Sequence, residues 1–373
     1  MTDPRVERLA ELVVGYSLEL GDGDVLRIDA LATAEPLVVA LYGAALAVGA
    51  RPSTNVGLDG LAEQLIAIGS DQQIAYVSPV EWHEVERIDA VVTVWSDENT
   101  RSFSRLDPER HRRYIAARRA LSDRKWERIS RGELAWCGTL QPTHALAQEA
   151  DMSLQVYEAF VFGACHVDHD DAAGHWRAVS ADLGARAAEL ARVRELRLVG
   201  PDTDLRVGVA GRTWMAADGR RNMPDGEVFT SPVETEVDGE IHFAFPAIFH
   251  GREVEEVRLR FEAGRVVAAE ATAGEAFLLS LLDMDEGARM LGEVSFGLNY
   301  EIDRFTRNIL FDEKIGGTMH VALGSSFAQA GGENTSGLHW DLICDLRTEG
   351  EVYADGELVW KAGRFLSEAG SGG

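Results

Sequence analysis

The stretch "LHWDLICDL", residues 338 to 346, places His339 and Asp341 two positions apart in an otherwise apolar run. In a strand, residues i and i+2 share a face, so the imidazole and the carboxylate point the same way while Trp340 points opposite. Burying both is costly without a partner, which is either a hydrogen bond between them or a metal ion. Three further stretches set a metal-capable side chain beside glycine or on an apolar strand: Glu227 in "PDGEVFTSP", Glu293 in "LGEVSFG" and His320 in "TMHVALG". Two imidazoles and three carboxylates make a mixed nitrogen and oxygen set that suits zinc, cobalt or manganese and is large enough for two ions sharing a carboxylate. Spacing alone leaves open the alternative of satisfied core histidines and Gly-Glu turns. A denser cluster, "CHVDHDD" at residues 165 to 171, lies at a helix end, where capping aspartates and exposed histidines are ordinary.

The elements that must carry these side chains change texture along the chain. The first half alternates strand-like "DVLRIDAL", a helix over residues 36 to 49, strands "QQIAYVSP" and "DAVVTVWS", the charged helical stretch "LDPERHRRYIAARRALSDRKWERISRG" and "ELAWCGTLQPT". That rhythm predicts an α/β domain with a mostly parallel sheet over residues 1–190. "MSLQVYEAFVFGAC" and "AVSADLGARAAELARVREL" are helical by their apolar spacing. From there "ELRLVG", "DLRVGVAG", "EIHFAFPAIF", "EVEEVRLRFEAGRVVAAEA" and "EVYADGELVWKAGRF" read as strands, with Asp355-Gly356 as a hairpin turn and "AGEAFLLSLLDMDEGARML" as a helix. Residues 191–373 are thus expected to form an α+β domain with a mostly antiparallel sheet, which holds all five candidate ligands and ends in the flexible tail "SEAGSGG".

Composition excludes several partners. Across 373 residues the formal net charge is −26, and Lys125, Lys314 and Lys361 are the lysines. Such an acidic surface repels phosphate backbones, so neither nucleic acid nor an anionic membrane is expected. The charge-free run at residues 36 to 50 is short and rich in small residues, which suits a buried helix better than a membrane span. "GDGD" at residues 21 to 24 precedes a strand and is no dinucleotide fingerprint. Cys137, Cys165 and Cys344 are widely spaced in apolar settings, as expected of core thiols in a reducing compartment, and the charged N-terminus suggests no export. A cytoplasmic location follows as the expectation.

"NMPDGEVFTSPVE", "GARMLGEVSFGLN", "TRNILFDEKIGGTMHVALG" and "GLHWDLICDL", in that order, resemble the metal-binding signatures of the aminopeptidase T and aminopeptidase S family of metallopeptidases. "AWCGTLQPTHALAQEADMSLQVYEAFVFGACHVD" resembles the stretch that precedes the catalytic domain there, and the likeness is strongest over residues 130 to 347. The resemblance implies Glu227, Glu293, His320, His339 and Asp341 as ligands of two divalent ions, with Glu293 as the bridge. It further implies a metalloaminopeptidase that cleaves peptide substrates with an activated water, Glu293 relaying the proton to the leaving amine. The substrate's α-amino group would be held by a metal or an acidic side chain, and a homodimer is implied. It assigns no ligand in "CHVDHDD".

One position departs from the pattern. The family commonly has a tyrosine seven residues after the first ligand histidine, placed to hydrogen-bond the developing oxyanion, and this chain has Phe327. Losing one such donor costs roughly a hundredfold in turnover. Lys314, in "FDEKIGG", is then either a substitute donor with a catalytic role or a surface lysine. A metal-binding homologue with little peptidase activity, or an amide hydrolase with a specialised substrate, is the corresponding alternative.

Overall fold

The computed structural model describes residues 3–249 and 251–366, so the expected tail "SEAGSGG" lies outside the described residues. The chain divides into two compact units, Met1–His175 with Gly219–Pro224, and Trp176–Asp218 with Asp225–Gly373. The boundary expected at residue 190 is the end of helix Ala172–Leu190; the units part inside that helix, between His175 and Trp176.

In the first unit, strands Val25–Leu31, Arg51–Gly57, Ala90–Trp95 and Ala135–Leu140 form a parallel sheet with the Val25 strand between the Arg51 and Ala90 strands. Val91, Val92 and Val94 are all buried, as a parallel strand covered on both faces requires. The edge strand Arg51–Gly57 escapes a reading by hydrophobic pattern because nearly all its side chains are exposed. The two-residue strand Asn222–Met223 pairs parallel to the Ala135 strand, with the Thr139 hydroxyl donating to Met223 O at 2.8 Å, and extends the sheet from a distant part of the chain. "QQIAYVSP", expected as a strand, is instead the end of one short helix, a turn with irregular backbone, and the start of another helix. Ser70 and Gln73 form a reciprocal capping box that starts Asp71–Ile74, and Ser78 caps Pro79–Val85. The charged stretch is one helix, Pro108–Ser130, capped by Asp107.

The second unit holds an eight-stranded and a five-stranded antiparallel sheet. Asp355 and Gly356, at φ of 49° and 88°, make the tight turn between Glu351–Ala354 and Glu357–Lys361. The expected helix after residue 273 is shorter than its pattern: Glu275–Leu282, then a separate 3-10 turn, Glu286–Arg289.

The five-stranded sheet positions the candidate site. Its order is His339–Cys344, Met319–Gly324, Leu291–Gly297, Glu227–Thr230, Met215–Ala217. Residues paired directly across strands share a face. One face therefore presents Val228, Val294, Phe296, Met319, Val321, Leu323, Trp340, Leu342 and Cys344, all buried in the same apolar cluster as Leu196, Leu205 and Val257 of the larger sheet. The other face presents Glu227, Glu293, His320, His339 and Asp341, separated by Ser295, Ala322 and Gly324, whose small side chains leave room for them.

A bulge sets the direction of Glu293. The register shifts between Leu291 and Glu293, so Gly292 is the extra residue. A Cβ there would lie 2.0 Å from Ser325 O and 2.5 Å from Gly324 O, both immovable backbone atoms. Gly292→Ala is expected to cost about 1–3 kcal/mol through this overlap and to lower metal content by turning Glu293 aside. Thermal denaturation and elemental analysis of the variant check both; an unaltered metal content would show that the bulge does not aim Glu293.

Candidate metal centre

The sheet gathers all five predicted ligands. His320 Nε2 lies 3.5 Å from Glu227 Oε2 and 3.5 Å from Glu293 Oε1. On the other side, His339 Nε2 lies 3.4 Å from Glu293 Oε2 and 3.6 Å from Asp341 Oδ1. Glu293 thus turns one carboxylate oxygen to each imidazole and belongs to two donor sets, Glu227/Glu293/His320 and Glu293/His339/Asp341.

The donor set fits divalent cations. Separations of 3.4–3.6 Å are long for charge-assisted hydrogen bonds. They match two ligands that are each about 2.1 Å from one tetrahedral ion, which stand about 3.4 Å apart. Asp341 Oδ1 is buried with no hydrogen-bond partner among the described residues, a cost that a cation removes. Both rings are oriented from behind: His320 Nδ1 is 2.9 Å from Glu313 O and His339 Nδ1 is 2.9 Å from Ser325 O. Each Nδ1–H donates to a backbone carbonyl and leaves Nε2 as the free ligand atom.

Charge dominates the site. Burial by itself lowers the pKa of His320, but Glu293 and Glu227 outweigh it and raise it to about 10; His339 is likewise raised to about 10 by Asp341 and Glu293 against its desolvation. Burial pushes Glu227 upward, while for Glu293 the two imidazoles overcome burial and hold it below the usual carboxylate range. Without cations, protons occupy the imidazoles that metal ions would replace.

Lys314 is no surface residue. Its side chain is 0% exposed, its ammonium donates to Glu313 Oε1, and it lies 3.7 Å from Glu227 Oε1 and 3.9 Å from Asp225 Oδ1. Desolvation, which favours the neutral amine, is outweighed by Glu313, Glu227 and Asp225, so its pKa is raised. Ser295 Oγ donates to Glu227 Oε2 at 2.9 Å. Phe327 sits at the centre's edge, its ring 5.3 Å from that of His339 and 5.1 Å from that of Phe229. Asp225, Ser295 and Glu313 were not singled out from sequence. The available signal was their place inside the same short motifs, "PDGEV", "LGEVSFG" and "FDEKIGG".

The "CHVDHDD" cluster is arranged differently. His166 stacks on His175 with ring centroids 3.4 Å apart, and burial lowers its pKa to about 4. Among the described residues, no group of potential metal ligands includes residues 165 to 171.

Known proteins resemble this chain in sequence and in fold. The family described as thermophilic metalloprotease (M29) matches residues 2–365. Aminopeptidase T of Thermus thermophilus is 29% identical over 359 residues, 87% of this chain and 85% of the relative. Aminopeptidase T of Thermus aquaticus is 36% identical over 190 residues, a match spanning 45% of each chain, so that alignment covers about half of the relative's length. The structure of wild-type AmpT from Thermus thermophilus superposes with a TM-score of 0.86 at 26% identity, covering 97% of this chain and 99% of that one.

His339→Ala or Asp341→Ala is expected to lower the metal content of the purified chain, whereas His166→Ala and His169→Ala leave it unchanged. Elemental analysis decides, and the reverse pattern would move the centre to the histidine cluster. A pH effect follows from the imidazoles. Their folded-state pKa of about 10 lies above the ordinary 6.5, so their contribution in the metal-stripped chain is full below pH 6.5 and lost as pH rises toward 10. The Tm of stripped protein should fall across that window while that of cation-loaded protein changes less. Parallel curves for the two forms would contradict the exchange of protons for cations.

Proposed function

This chain belongs to the thermophilic metalloprotease (M29) family, and from that premise we propose that it is a metal-dependent aminopeptidase removing N-terminal residues from short peptides. Glu227, Glu293, His320, His339 and Asp341 are the proposed ligands of two divalent ions. The observation that carries this reading is Glu293, whose two oxygens each face a different histidine, at 3.5 and 3.4 Å. Formal charge supports the number: the carboxylates of Asp225, Glu227, Glu293, Glu313 and Asp341 against the ammonium of Lys314 leave an excess that two divalent cations neutralise. Zinc, cobalt and manganese suit this set of donors.

Bound cations supply Lewis acidity, which polarises the scissile carbonyl and acidifies a water. The chain's own groups do the rest. Ser295 and Lys314 hold opposite oxygens of Glu227, fixing that carboxylate on the sheet. Glu293 Oε2 faces His339, the most exposed of the five ligands, and from there accepts the proton of the attacking water and returns it to the leaving amine. Lys314, spent on three carboxylates and shut off from solvent, acts by positioning rather than by touching substrate. Phe229 and Phe327 form an apolar wall beside His339.

A second reading rests on Phe327: a metal-binding homologue with weak turnover, because no phenol hydroxyl is offered there. Two finer elements complete the proposal. A homodimer is supported by the family resemblance, and a cytoplasmic location by cysteines that are widely spaced along the chain and buried as core residues, Cys137, Cys165 and Cys344. Among the described residues no helix is long and apolar enough to cross a membrane.

Hydrolysis of aminoacyl anilides and dipeptides that chelator abolishes and cobalt, zinc or manganese restores is the expected outcome; metal binding without hydrolysis favours the second reading. Glu293→Gln keeps the volume but removes charge and basicity, so turnover should collapse even where metal remains. Phe327→Tyr should raise kcat with KM nearly unchanged. A Tyr variant with normal metal content and no gain in kcat would mean that the oxyanion is stabilised elsewhere.

A further inference from the structure

Glu313 is left over by both donor sets. Its carboxylate forms a third group with His320 and Asp341, all donor atoms lying within 4.8 Å of one another, so it stands beside one ligand from each set. It is also the most accessible of these carboxylates: its side chain is 17% exposed, against 7% for Glu227, 6% for Glu293 and 12% for Asp341. Oε1 accepts a hydrogen bond from the Lys314 ammonium, and no hydrogen bond engages Oε2 among the described residues. The residue caps helix Ile309–Asp312, and its carbonyl takes the Nδ1–H of His320, so its backbone is tied to the centre.

A third metal ion does not suit this group. The Nδ1 of His320 is committed to the Glu313 carbonyl, and the remaining nitrogen, Nε2, faces Glu227 and Glu293. One ring nitrogen ligates one ion. The cation that Glu313 Oε2 can take must come from outside the chain and bring its own N–H donors. At the accessible edge of a peptidase centre, that cation is the α-ammonium of the substrate. Resting on the aminopeptidase reading, we infer that Glu313 binds the free N-terminal ammonium of the peptide and thereby restricts the centre to terminal residues. An N-acylated peptide or an internal segment brings no charge and leaves Oε2 of that carboxylate desolvated without a donor, Lys314 engaging only Oε1, which is how a buried polar group rejects a ligand.

The full chain loaded with cobalt is titrated calorimetrically with L-leucine and with 4-methylpentanoate, which has the same skeleton but no amine. Wild type should bind leucine at least about tenfold more tightly, since a hydrogen bond between charged groups is worth roughly ten- to a hundredfold. Glu313→Gln should remove that preference, raise KM for a leucyl anilide by a similar factor with a smaller change in kcat, and keep its full metal content. Glu313→Asp, which keeps a charge opposite Lys314 if the glutamine variant folds poorly, should retain part of the preference. Three results overturn the inference: no preference in wild type, a preference that survives in Glu313→Gln, or the loss of an ion from that variant, which would make Glu313 a ligand. The underlying reading fails separately. A loaded wild type that hydrolyses no anilide yet shows a Glu313-dependent preference for leucine keeps the ammonium site and loses the peptidase; hydrolysis without the preference does the opposite.

Discussion

Carboxylates crowded on one face of one sheet are the constraint on which the rest of this structure depends. Glu227, Glu293 and Asp225 are buried, and Glu313 and Asp341 are largely so. Two like charges about 5 Å apart repel by about 3 kcal/mol at an effective dielectric of 20, so such a cluster persists only where cations are built in or taken up. Lys314 is the built-in cation, on the flank of Glu227, Glu313 and Asp225. Toward His339 and Asp341 no such ammonium stands among the described residues, and there the balance falls to protons on the imidazoles or to metal ions.

The sheet tolerates the strain because its two faces have separate tasks. Val321, Leu323, Trp340 and Leu342 anchor their strands in the apolar cluster, and the alternate residues of the same strands carry the charges. Period-two alternation makes this division hard to perturb, since a one-residue slip would put His320 in the core and Val321 at the centre. The Gly292 bulge is the local exception: it advances Glu293 by one residue against its neighbour, next to the small Ala322. Anchoring and chemistry are thereby coupled, because the burial that holds the strands also fixes the distances among the donors.

This division explains what could be read without coordinates. His339 and Asp341 were legible because they interrupt an apolar strand at a spacing of two, and Glu227 and Glu293 because glycine precedes each in a short motif. Glu313 and Asp225 were not, since their roles arise when loops return over the sheet and bring Lys314 between them. The parallel first sheet and the antiparallel second half followed from run length and alternation. Strand Arg51–Gly57 did not, because its pairing is backbone to backbone at an exposed edge, and "QQIAYVSP" misled because a capping box outweighs its strand-forming residues.

The two donor sets are also unequal, and the inequality has a chemical sense. Glu227 shares one oxygen with the Ser295 hydroxyl and turns the other toward an ammonium, while His320 beside it is 1% exposed. That inner set is dry, held from several sides and already partly neutralised. In the outer set the His339 side chain is 35% exposed, and Asp341 Oδ1 has no donor among the described residues. A cation there meets less opposing charge and more solvent. Phe229 and Phe327 stand beside that outer side, and Glu313, grouped with His320 and Asp341, lies between the two sets with one carboxylate oxygen not engaged by Lys314. A centre built this way keeps its inner half as structure and exposes its outer half to the incoming substrate.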